Sequence, residues 1–290
     1  MSMATLQDRE ILDLEEMAIA IRESIVLMLE EAGSGHTAGP LGMTDVFTAL
    51  YSKVMKHNPK NPAWEHRDRL ILSNGHIAPV LYATLAHSGY FPVEELKTLR
   101  KFVSRLQGHP HRGTTPGVET SSGPLGEGLS QAIGMAWADR LDGHKPERYF
   151  YTLLGDGELN EGQNWEAFFL LGRENLHKLI CIVDRNNIQI DGMTESVLPL
   201  EPLRAKFEAF NLNVIDINGH DFHDIISAIE KAKTIVEKPT VIIAHTIPGK
   251  GVPEIEGDFH WHGKAPSHDE AKKMLAELRT MKGKLTHVID

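Results

Sequence analysis

Two polar stretches, each at the end of an apolar run, carry the residue types best suited to chemistry. The apolar run from Tyr149 to Leu154 stops at Gly155-Asp156-Gly157, and the apolar run from 179 to 183 leads to Asn186. The segment between them is long enough for one helix, so the unit is predicted as strand, helix, strand with parallel strands. Such a crossover brings both carboxyl ends to one edge of a sheet, where open α/β sheets bind ligands.

Asp156 and Asn186 are therefore predicted to face one point. Carboxylate and amide oxygens suit Mg²⁺ or Ca²⁺ and suit zinc poorly. Two side chains cannot fill an octahedral shell, which Mg²⁺ usually completes with phosphate oxygens and water. Gly155 and Gly157 let the backbone approach a bulky anion, and a helix starting near Asn160 adds the positive end of its dipole. The pattern predicts a diphosphate with its metal, the alternative being a turn in which Asp and Asn serve turn chemistry alone.

Four histidines lie in predicted loops with glycine beside them: His36, His76, His109 and His262. Histidine titrates near neutrality and donates from either nitrogen, so a ring of histidines suits phosphate binding and proton transfer. The alternative is a set of solvated loop histidines. His109 lies in the segment 104–128, which is rich in glycine and proline and has no apolar period. A loop of that length in a compact domain is usually functional.

The elements that must position these residues alternate along the chain. Helices are predicted at 6–31, from Thr44-Asp45 onward, and at 78–87, 127–141, 160–175, 202–210, 222–236 and 270–281, with strands at 69–72, 149–154, 179–183, 213–217 and 240–247. Alternating strands and helices predict an α/β fold whose parallel sheet has helices on both faces. Gly33 is predicted to end the first helix, and Ser267 with Glu270 to begin the last as a capping box.

Composition narrows the class of protein. Of the 290 residues, 41% are apolar and 24% charged, which is typical of a soluble globular protein with no membrane span. The net charge of −10 argues against nucleic-acid and anionic-membrane partners. Cys181, the single cysteine, lies in an apolar strand and fits a reducing compartment. The first ten residues are polar and acidic rather than signal-like. These features predict a cytoplasmic protein.

The spacing of the two polar stretches resembles the thiamine diphosphate fingerprint, because Asn186 follows Asp156 by 30 positions. The segments 155–167 and 184–192 resemble transketolases in particular, as do the four histidine loops and the glycine-rich stretch 122–128. The resemblance runs from about Ile11 to residue 290. It implies the thiamine diphosphate-binding fold, with 1–290 as one diphosphate-binding domain that has a long N-terminal helix and a C-terminal helix.

The resemblance also implies roles for individual residues. The metal, Mg²⁺ with Ca²⁺ as a substitute, would be held by Asp156, Asn186 and the main-chain carbonyl of Ile188. The cofactor would contact His76, Gly123, Leu125, Gly155, Asp156, Gly157, Asn186 and His262. His109 would hold the C1 hydroxyl of the donor ketose, and His36 and His262 would assist proton transfer at the acceptor carbonyl. Glu161 and Glu166 match acids that link the two active sites of a dimer, although an acid such as Glu161 is favourable near a helix N-terminus anyway.

The resemblance covers only the diphosphate half of a transketolase. The family needs a second domain that holds the aminopyrimidine and supplies an activating glutamate, and 290 residues are too few for it. The expectation is therefore the N-terminal subunit of a split transketolase, paired with a separate chain carrying the pyrimidine-binding domain, two copies of each. It would transfer a two-carbon ketol unit from a ketose phosphate to an aldose phosphate.

Two alternatives to this function stay open. One is another thiamine diphosphate enzyme, such as a deoxyxylulose phosphate synthase or a 2-oxoacid dehydrogenase component, which would not be expected to share all four histidine loops. The other is a catalytically silent, cofactor-binding regulatory subunit, which would tolerate their loss.

Several residues depart from the family pattern or have simpler roles. Thr37-Ala38-Gly39-Pro40 follows His36 where Pro-Gly is common, and Asn187 stands where glycine is frequent, although asparagine tolerates a positive φ. His220-Asp221 and His223-Asp224 are interpreted as a helix cap. Three further histidines, His144, His177 and His287, are predicted at the surface.

Overall fold

A five-stranded parallel sheet forms the centre of the computed structural model, which describes residues 3–143 and 148–286. The chain contributes β1 (Arg69–Leu72), β2 (Phe150–Gly155), β3 (Leu179–Arg185), β4 (Ile188–Gln189), β5 (Gly192–Met193), β6 (Asn213–Asn218) and β7 (Thr240–His245). The sheet has the spatial order β1-β2-β3-β7-β6, while β4 and β5 form a separate antiparallel hairpin. All four pairings within the sheet are parallel.

Helices cover both faces of this sheet. They are α1 (Met3–Ala32), α2 (Ala38–Ala49), α3 (Ala78–His87), α4 (Glu127–Asp142), α5 (Gly162–Glu174), α6 (Thr194–Val197), α7 (Leu203–Ala209), α8 (Phe222–Thr234) and α9 (His268–Thr286). A π-helical turn at Leu50–Val54 continues α2, and 3₁₀ turns lie at Gly75–Ile77, Val93–Thr98, Gly157–Asn160 and Phe259–Trp261. The predicted α/β fold with a helix-covered parallel sheet is confirmed.

The inner strands are mostly apolar because each of their faces supplies a different core, whereas the edge strand β6 exposes Asp216 and Asn218. In β2, Tyr151 and Leu153 pack toward α1, α2, α3, α8 and α9, whereas Phe150 and Leu154 pack toward α4, α5 and α7. Successive side chains of a strand point to opposite faces, so a strand buried on both faces has no polar alternation. The two cores fix the sheet rigidly, and the carboxyl ends of its strands are left to carry polar groups.

Most predicted boundaries agree with the structure to within a few residues, and the caps follow the predicted chemistry. Gly33 has φ +63° and donates to the carbonyls of Leu29 and Glu30 at the end of α1. At the start of α9, Ser267 N–H donates to Glu270 Oε2 at 2.8 Å, and Glu270 N–H donates to Ser267 Oγ at 3.4 Å. The Asp221 side chain caps α8 by accepting from the main-chain N–H groups of His223 and Asp224.

The predicted helix start at Thr44-Asp45 is wrong. Helix α2 begins at Ala38, and both residues lie inside it. Thr44 Oγ1 donates to the Pro40 carbonyl at 2.9 Å, and Asp45 forms a buried pair with Arg22 instead of capping a helix. Every residue of α2 is buried, so tertiary packing overrides the local capping signal.

The connection between β2 and β3 also differs from the prediction near its start. A 3₁₀ turn occupies Gly157–Asn160, and α5 begins at Gly162 rather than near Asn160. Strand β3 continues to Arg185, two residues beyond the apolar run, so Asp184 and Arg185 are buried strand residues. The hairpin β4–β5 and the short helix α6 were not predicted.

Other expectations have mixed outcomes. Cys181 is fully buried in β3, as predicted, and burial raises the pKa of its thiol. Asn187 has φ +63°, the conformation for which glycine is frequent.

His177 is half-buried between α5 and β3, while His144 and His287 lie outside the described residues. Within residues 3–143 and 148–286, none of the helices combines the length and apolarity that a membrane crossing requires.

Candidate active site

A cavity of about 280 Å³ lies at the carboxyl ends of β1, β2 and β3. The residues that line it come from the loops after these strands and from the segment after β7: His36, Asn74, His76, His109, Gly123, Leu125, Gly155, Asp156, Gly157, Glu158, Asp184, Asn186, Ile188, Gln189, Ile190 and His262. All predicted metal and cofactor residues are in this set, together with the four predicted histidines. The structure therefore brings together stretches that are far apart in the sequence.

Asp156 follows β2 directly and is almost fully buried. Its Oδ1 accepts from Gly157 N–H at 2.7 Å. Its Oδ2 accepts from Arg185 Nη1 at 2.9 Å and from Asn187 N–H at 2.8 Å. Burial raises the pKa of Asp156, and the Arg185 guanidinium opposes that rise without cancelling it. Since Oδ1 has one protein donor, it keeps a lone pair with which it can bind a further group.

Asn186 is held in a fixed orientation by its neighbours. Its Nδ2 donates to Asp184 Oδ2 at 2.8 Å, and its Oδ1 accepts from Ile188 N–H at 3.0 Å. Asp184 in turn accepts a hydrogen bond from the hydroxyl of Thr246, just beyond β7. Burial, with the nearby charge of Asp156, raises the pKa of Asp184 to about 7. The carboxyl end of β3 is thus tied to that of β7 through these side chains.

Three of the histidines form a triangle of rings. The ring centroids are 4.9 Å apart for His36 and His76, 5.2 Å for His76 and His262, and 5.5 Å for His36 and His262. Burial lowers the pKa of all three, that of His36 to about 4. At neutral pH they are uncharged, so each offers one N–H donor and one acceptor. Their predicted role in phosphate binding therefore starts from uncharged rings that donate through N–H.

His109 lies at the open side of the same cavity. A methyl group added at Gly123 would lie 3.5 Å from the His109 ring, an ordinary van der Waals contact, so the ring packs close to this loop. Gly123 has φ +151°, which favours glycine there. Leu125, from the same loop, also lines the cavity and is 40% exposed. This loop supplies an apolar wall beside the histidines.

Glu158 connects three of the site's loops through hydrogen bonds to its buried carboxylate. Its carboxylate accepts from the Ser73 hydroxyl after β1, from Gly126 N–H at 2.8 Å and from Gly155 N–H at 3.0 Å. Burial raises the pKa of Glu158, and these donors oppose the rise. One buried carboxylate therefore fixes the end of β1, the end of β2 and the loop that leads into α4.

The loops that carry His36 and His262 are joined directly. Thr37 Oγ1 donates to the Lys264 carbonyl at 2.6 Å. Thr37 stands where the family pattern commonly has another residue, and here its hydroxyl connects the two loops. The departure from the pattern leaves His36 and His262 within ring contact.

Glu161 and Glu166 are exposed and do not line the cavity. Glu161 precedes α5, and its Cβ lies 2.9 Å from the position a methyl group at Gly126 would take. Glu166 lies on α5. The relay role of both acids stays a prediction.

Four residues with clear positions in the site had no role in the sequence prediction: Asn74, Glu158, Asp184 and Arg185. All lay in stretches whose motifs were recognised. Their signal was their polarity at the end of an apolar run, which on its own does not tell a buried residue from an exposed one. In the described parts of the chain, no three or more His, Cys, Asp or Glu side chains are grouped as a metal site. The predicted metal ligands would not form such a group, because only Asp156 among them is a His, Cys, Asp or Glu side chain. The others are the Asn186 amide oxygen and the Ile188 main-chain carbonyl.

Comparison with known proteins identifies the family. Residues 14–284 match the family model described as the transketolase thiamine diphosphate binding domain. The chain belongs to the transketolase family. It is 43% identical over 267 residues to the 6-deoxy-6-sulfo-D-fructose transketolase subunit SqwG of Clostridium sp. (strain MSTE9), covering 92% of this chain and 96% of that protein. It is 40% identical over 268 residues to a subunit of the apulose-4-phosphate transketolase from Actinobacillus succinogenes, with 92% and 96% covered.

Solved transketolase structures share the fold. The structure of transketolase from Campylobacter jejuni superposes with a TM-score of 0.85 at 40% identity, over 92% of this chain and 42% of that chain. The chain thus spans nearly the whole of the two transketolase subunits and less than half of the Campylobacter transketolase. The interpretation as a transketolase subunit is confirmed, together with the predicted family and the thiamine diphosphate-binding fold. These matches favour transketolase over the other thiamine diphosphate enzymes considered above.

Proposed function

We propose that this transketolase subunit binds thiamine diphosphate with a divalent metal, Mg²⁺ or in its place Ca²⁺, and works with a complementary chain on sugar phosphates. The observation that carries the proposal is the convergence of three histidine rings within 5.5 Å of one another on a cavity that also holds Asp156, Asn186 and Ile188. A silent regulatory subunit has no need for such a constellation. The proposal also includes a cytoplasmic location, supported by the single, buried cysteine.

The residues present fit a metal and a diphosphate. Asp156 Oδ1, the Asn186 amide oxygen and the Ile188 carbonyl are the hard oxygen donors that Mg²⁺ and Ca²⁺ prefer, and a diphosphate completes such shells. Buried nitrogen atoms without a hydrogen-bond partner, His36 Nδ1 and His262 Nδ1, support a ligand that contacts the rings. Gly155 and Gly157 leave the backbone open to an anion, with His76 as a donor and with Gly157 N–H, which now donates to Asp156 Oδ1, as a second donor that the anion would share.

When bound, thiamine diphosphate supplies the carbanion chemistry of ketol transfer. The residues of this chain bind the cofactor and orient the substrate. His76 and His262 contact the diphosphate, Gly123 and Leu125 line the thiamine pocket, and His109 holds the C1 hydroxyl of the donor ketose. His36 and His262 assist proton transfer at the acceptor's carbonyl oxygen: an uncharged ring accepts a proton, and a ring that has taken one up delivers it to that oxygen.

The complementary chain would carry the pyrimidine-binding domain and the activating glutamate. The two relatives named as transketolase subunits support this division of roles, because this chain matches nearly the whole length of each. We propose an assembly of two copies of each chain, in which Glu161 and Glu166 connect the two sites. The reaction is transfer of a two-carbon ketol unit from a ketose phosphate to an aldose phosphate.

The test is a calorimetric titration of thiamine diphosphate into the chain mixed with its complementary chain, with and without Mg²⁺. We expect binding that requires the metal and is lost in Asp156→Ala. The control Asp13→Ala removes an exposed aspartate from α1 and should leave binding unchanged. Metal-independent binding, or equal binding by Asp156→Ala and the wild type, contradicts the metal assignment. No binding by the wild-type mixture contradicts the proposed function.

A further inference from the structure

Asn74 is a buried amide for which the described protein supplies no partner. It follows β1 in the loop that carries His76, and the residue is 1% exposed. Its main-chain carbonyl accepts from Ile77 N–H at 3.0 Å and so fixes the backbone. The side chain differs, because neither Oδ1 nor Nδ2 has a hydrogen-bond partner. Across residues 3–143 and 148–286 it is the one buried side chain with two such atoms.

An amide buried without partners is costly. Each buried donor or acceptor that lacks a partner costs about 1–3 kcal/mol, so native proteins rarely leave two on one side chain. Because the oxygen and nitrogen of an asparagine amide are assigned from their hydrogen bonds, the two ends are interchangeable here. Both are unpartnered, so the conclusion is the same in either orientation. A polar partner must come from outside the chain.

The position of the amide defines where that partner lies. Asn74 lines the cavity with His76, Asp156 and Asn186. A methyl group added at Gly155 would lie 3.7 Å from Asn74 Nδ2, so the amide lies over the backbone at the point where β2 turns into Gly155-Asp156-Gly157. Because the amide has no hydrogen-bond partner among the described residues, its NH₂ group is free to donate to an acceptor that enters the cavity.

We propose that Asn74 is a cofactor-binding residue whose amide NH₂ group donates to an oxygen of the cofactor's diphosphate. The inference rests on the proposed function and adds a donor to the histidines and Gly157. A phosphate oxygen suits this position because it is anionic and can only accept, so it matches the amide NH₂ group, which can only donate. The competing explanation is an enclosed water that pairs with the amide. The two explanations differ in what a nonpolar replacement does.

The test compares Asn74→Leu, Asn74→Ser and the wild type, each mixed with the complementary chain and Mg²⁺. Calorimetry measures the affinity for thiamine diphosphate, inorganic diphosphate and thiamine, and thermal unfolding measures the stability of each cofactor-free chain. Thr84→Val is the matched control, since Thr84 Oγ1 is also buried and unpartnered but lies in α3 away from the cavity.

We expect both Asn74 variants to bind thiamine diphosphate and inorganic diphosphate about 10- to 100-fold more weakly, with thiamine affinity unchanged. The cofactor-free Asn74→Leu chain should unfold at the same temperature as the wild type or higher, because it loses two unpartnered polar atoms. Thr84→Val should bind like the wild type. Asn74→Ser provides the affinity measurement if leucine does not fit.

Affinity for diphosphate within about twofold of the wild type in the variants overturns the inference. So does an equal loss of affinity for thiamine, which carries no phosphate. A lower unfolding temperature of Asn74→Leu with unchanged affinity identifies an enclosed water as the partner and likewise overturns it. Failure of the wild-type mixture to bind thiamine diphosphate would instead refute the proposed function, so the two failures are distinguishable.

Discussion

Two buried arginine–aspartate pairs differ in how completely their charges are compensated. Arg22 Nη2 lies 2.7 Å from Asp45 Oδ2 between α1 and α2, and Arg185 Nη1 lies 2.9 Å from Asp156 Oδ2 at the cavity. Burial acts to raise the pKa of both aspartates. For Asp45 the attraction of Arg22 and the bonds from Arg22 and His220 outweigh burial, so its pKa falls below the ordinary value. For Asp156 burial outweighs Arg185, and its pKa stays raised.

The partners of the two pairs explain the difference. Arg22 Nε also donates to the Leu41 carbonyl, and His220 bridges Asp45 to Ile247 N–H through its two ring nitrogens. At the cavity, the positive charge of Arg185 is shared among three carboxylates, because Arg185 also pairs with Glu195 and Glu201. Asp156 thus receives only part of one cation. The first pair is complete within the chain, whereas the second leaves a carboxylate that still gains from a further positive charge.

The largest expected effect is on stability and comes from the complete pair. Asp45→Ala should lower the free energy of unfolding by about 3–5 kcal/mol, because it leaves Arg22 buried without its counter-charge. Asp156→Ala should cost less, since Arg185 keeps Glu195 and Glu201. Denaturant unfolding of the cofactor-free chains measures both. Cofactor affinity should show the reverse order, with folded Asp45→Ala near the wild type. If the two variants lost equal stability, or if only Asp45→Ala lost cofactor affinity, the proposed difference between the two pairs would be wrong.

A smaller effect is expected at Glu158, a buried carboxylate that serves the site without a cation. Glu158→Gln should lower the free energy of unfolding by about 1–3 kcal/mol, because an amide NH₂ group would face at least one of the three donors that now converge on the carboxylate. Glu161→Gln, at an exposed acid three residues away, is the control and should stay within about 0.5 kcal/mol of the wild type. Urea unfolding at pH 7 compares them. Equal midpoints for the two variants would show that Glu158 does not hold the loops.

The smallest effect concerns the pH dependence of stability at the cavity. The folded-state pKa of His36 is about 4 and its ordinary value is 6.5, so between these values the unfolded chain binds more protons at this residue. Stability contributed by neutral His36 is therefore present above pH 6.5 and is lost as pH falls toward 4. In His36→Gln the fall in unfolding free energy from about pH 7 to about pH 4.5 should be shallower than in the wild type. His111→Gln, at an exposed histidine, is the control. Parallel curves for wild type and His36→Gln would contradict the assignment.

The sheet and the main outline of the site were predictable because they depend on patterns that neighbouring residues carry. Apolar runs of strand length ending at Gly-Asp-Gly or Asn-Asn predicted where the strand ends meet. The helix start at Thr44-Asp45 failed for a physical reason, since capping residues also serve inside a helix when packing supplies other partners. The same ambiguity hid Asp184 and Arg185, whose polarity indicated the end of β3 although the strand continues through them.

Asn74 could not have been assigned from sequence for a different reason. Its distinguishing property is that two buried atoms lack partners, which depends on everything packed around it. Glu158 is similar, because its three donors come from β1, β2 and the loop before α4. Motifs indicate which side chains reach a ligand. They do not indicate which polar groups the surrounding protein leaves without a partner.

The hydrogen bond between Thr37 and Lys264 has a consequence for how the chain matures. Its two ends are separated by 227 positions, so this contact closes only after almost all of the described chain has been synthesised. Helix α1 likewise packs on α9, with Glu30 bonded to His268. Contacts of such long sequence separation form late and slow folding. A ribosome-bound chain that has released only β1 to β3 would lack both Thr246, whose hydroxyl bonds Asp184 beside Asn186, and the histidine from the far end of the pocket. Cofactor capture during translation would therefore wait for the last stretch to emerge.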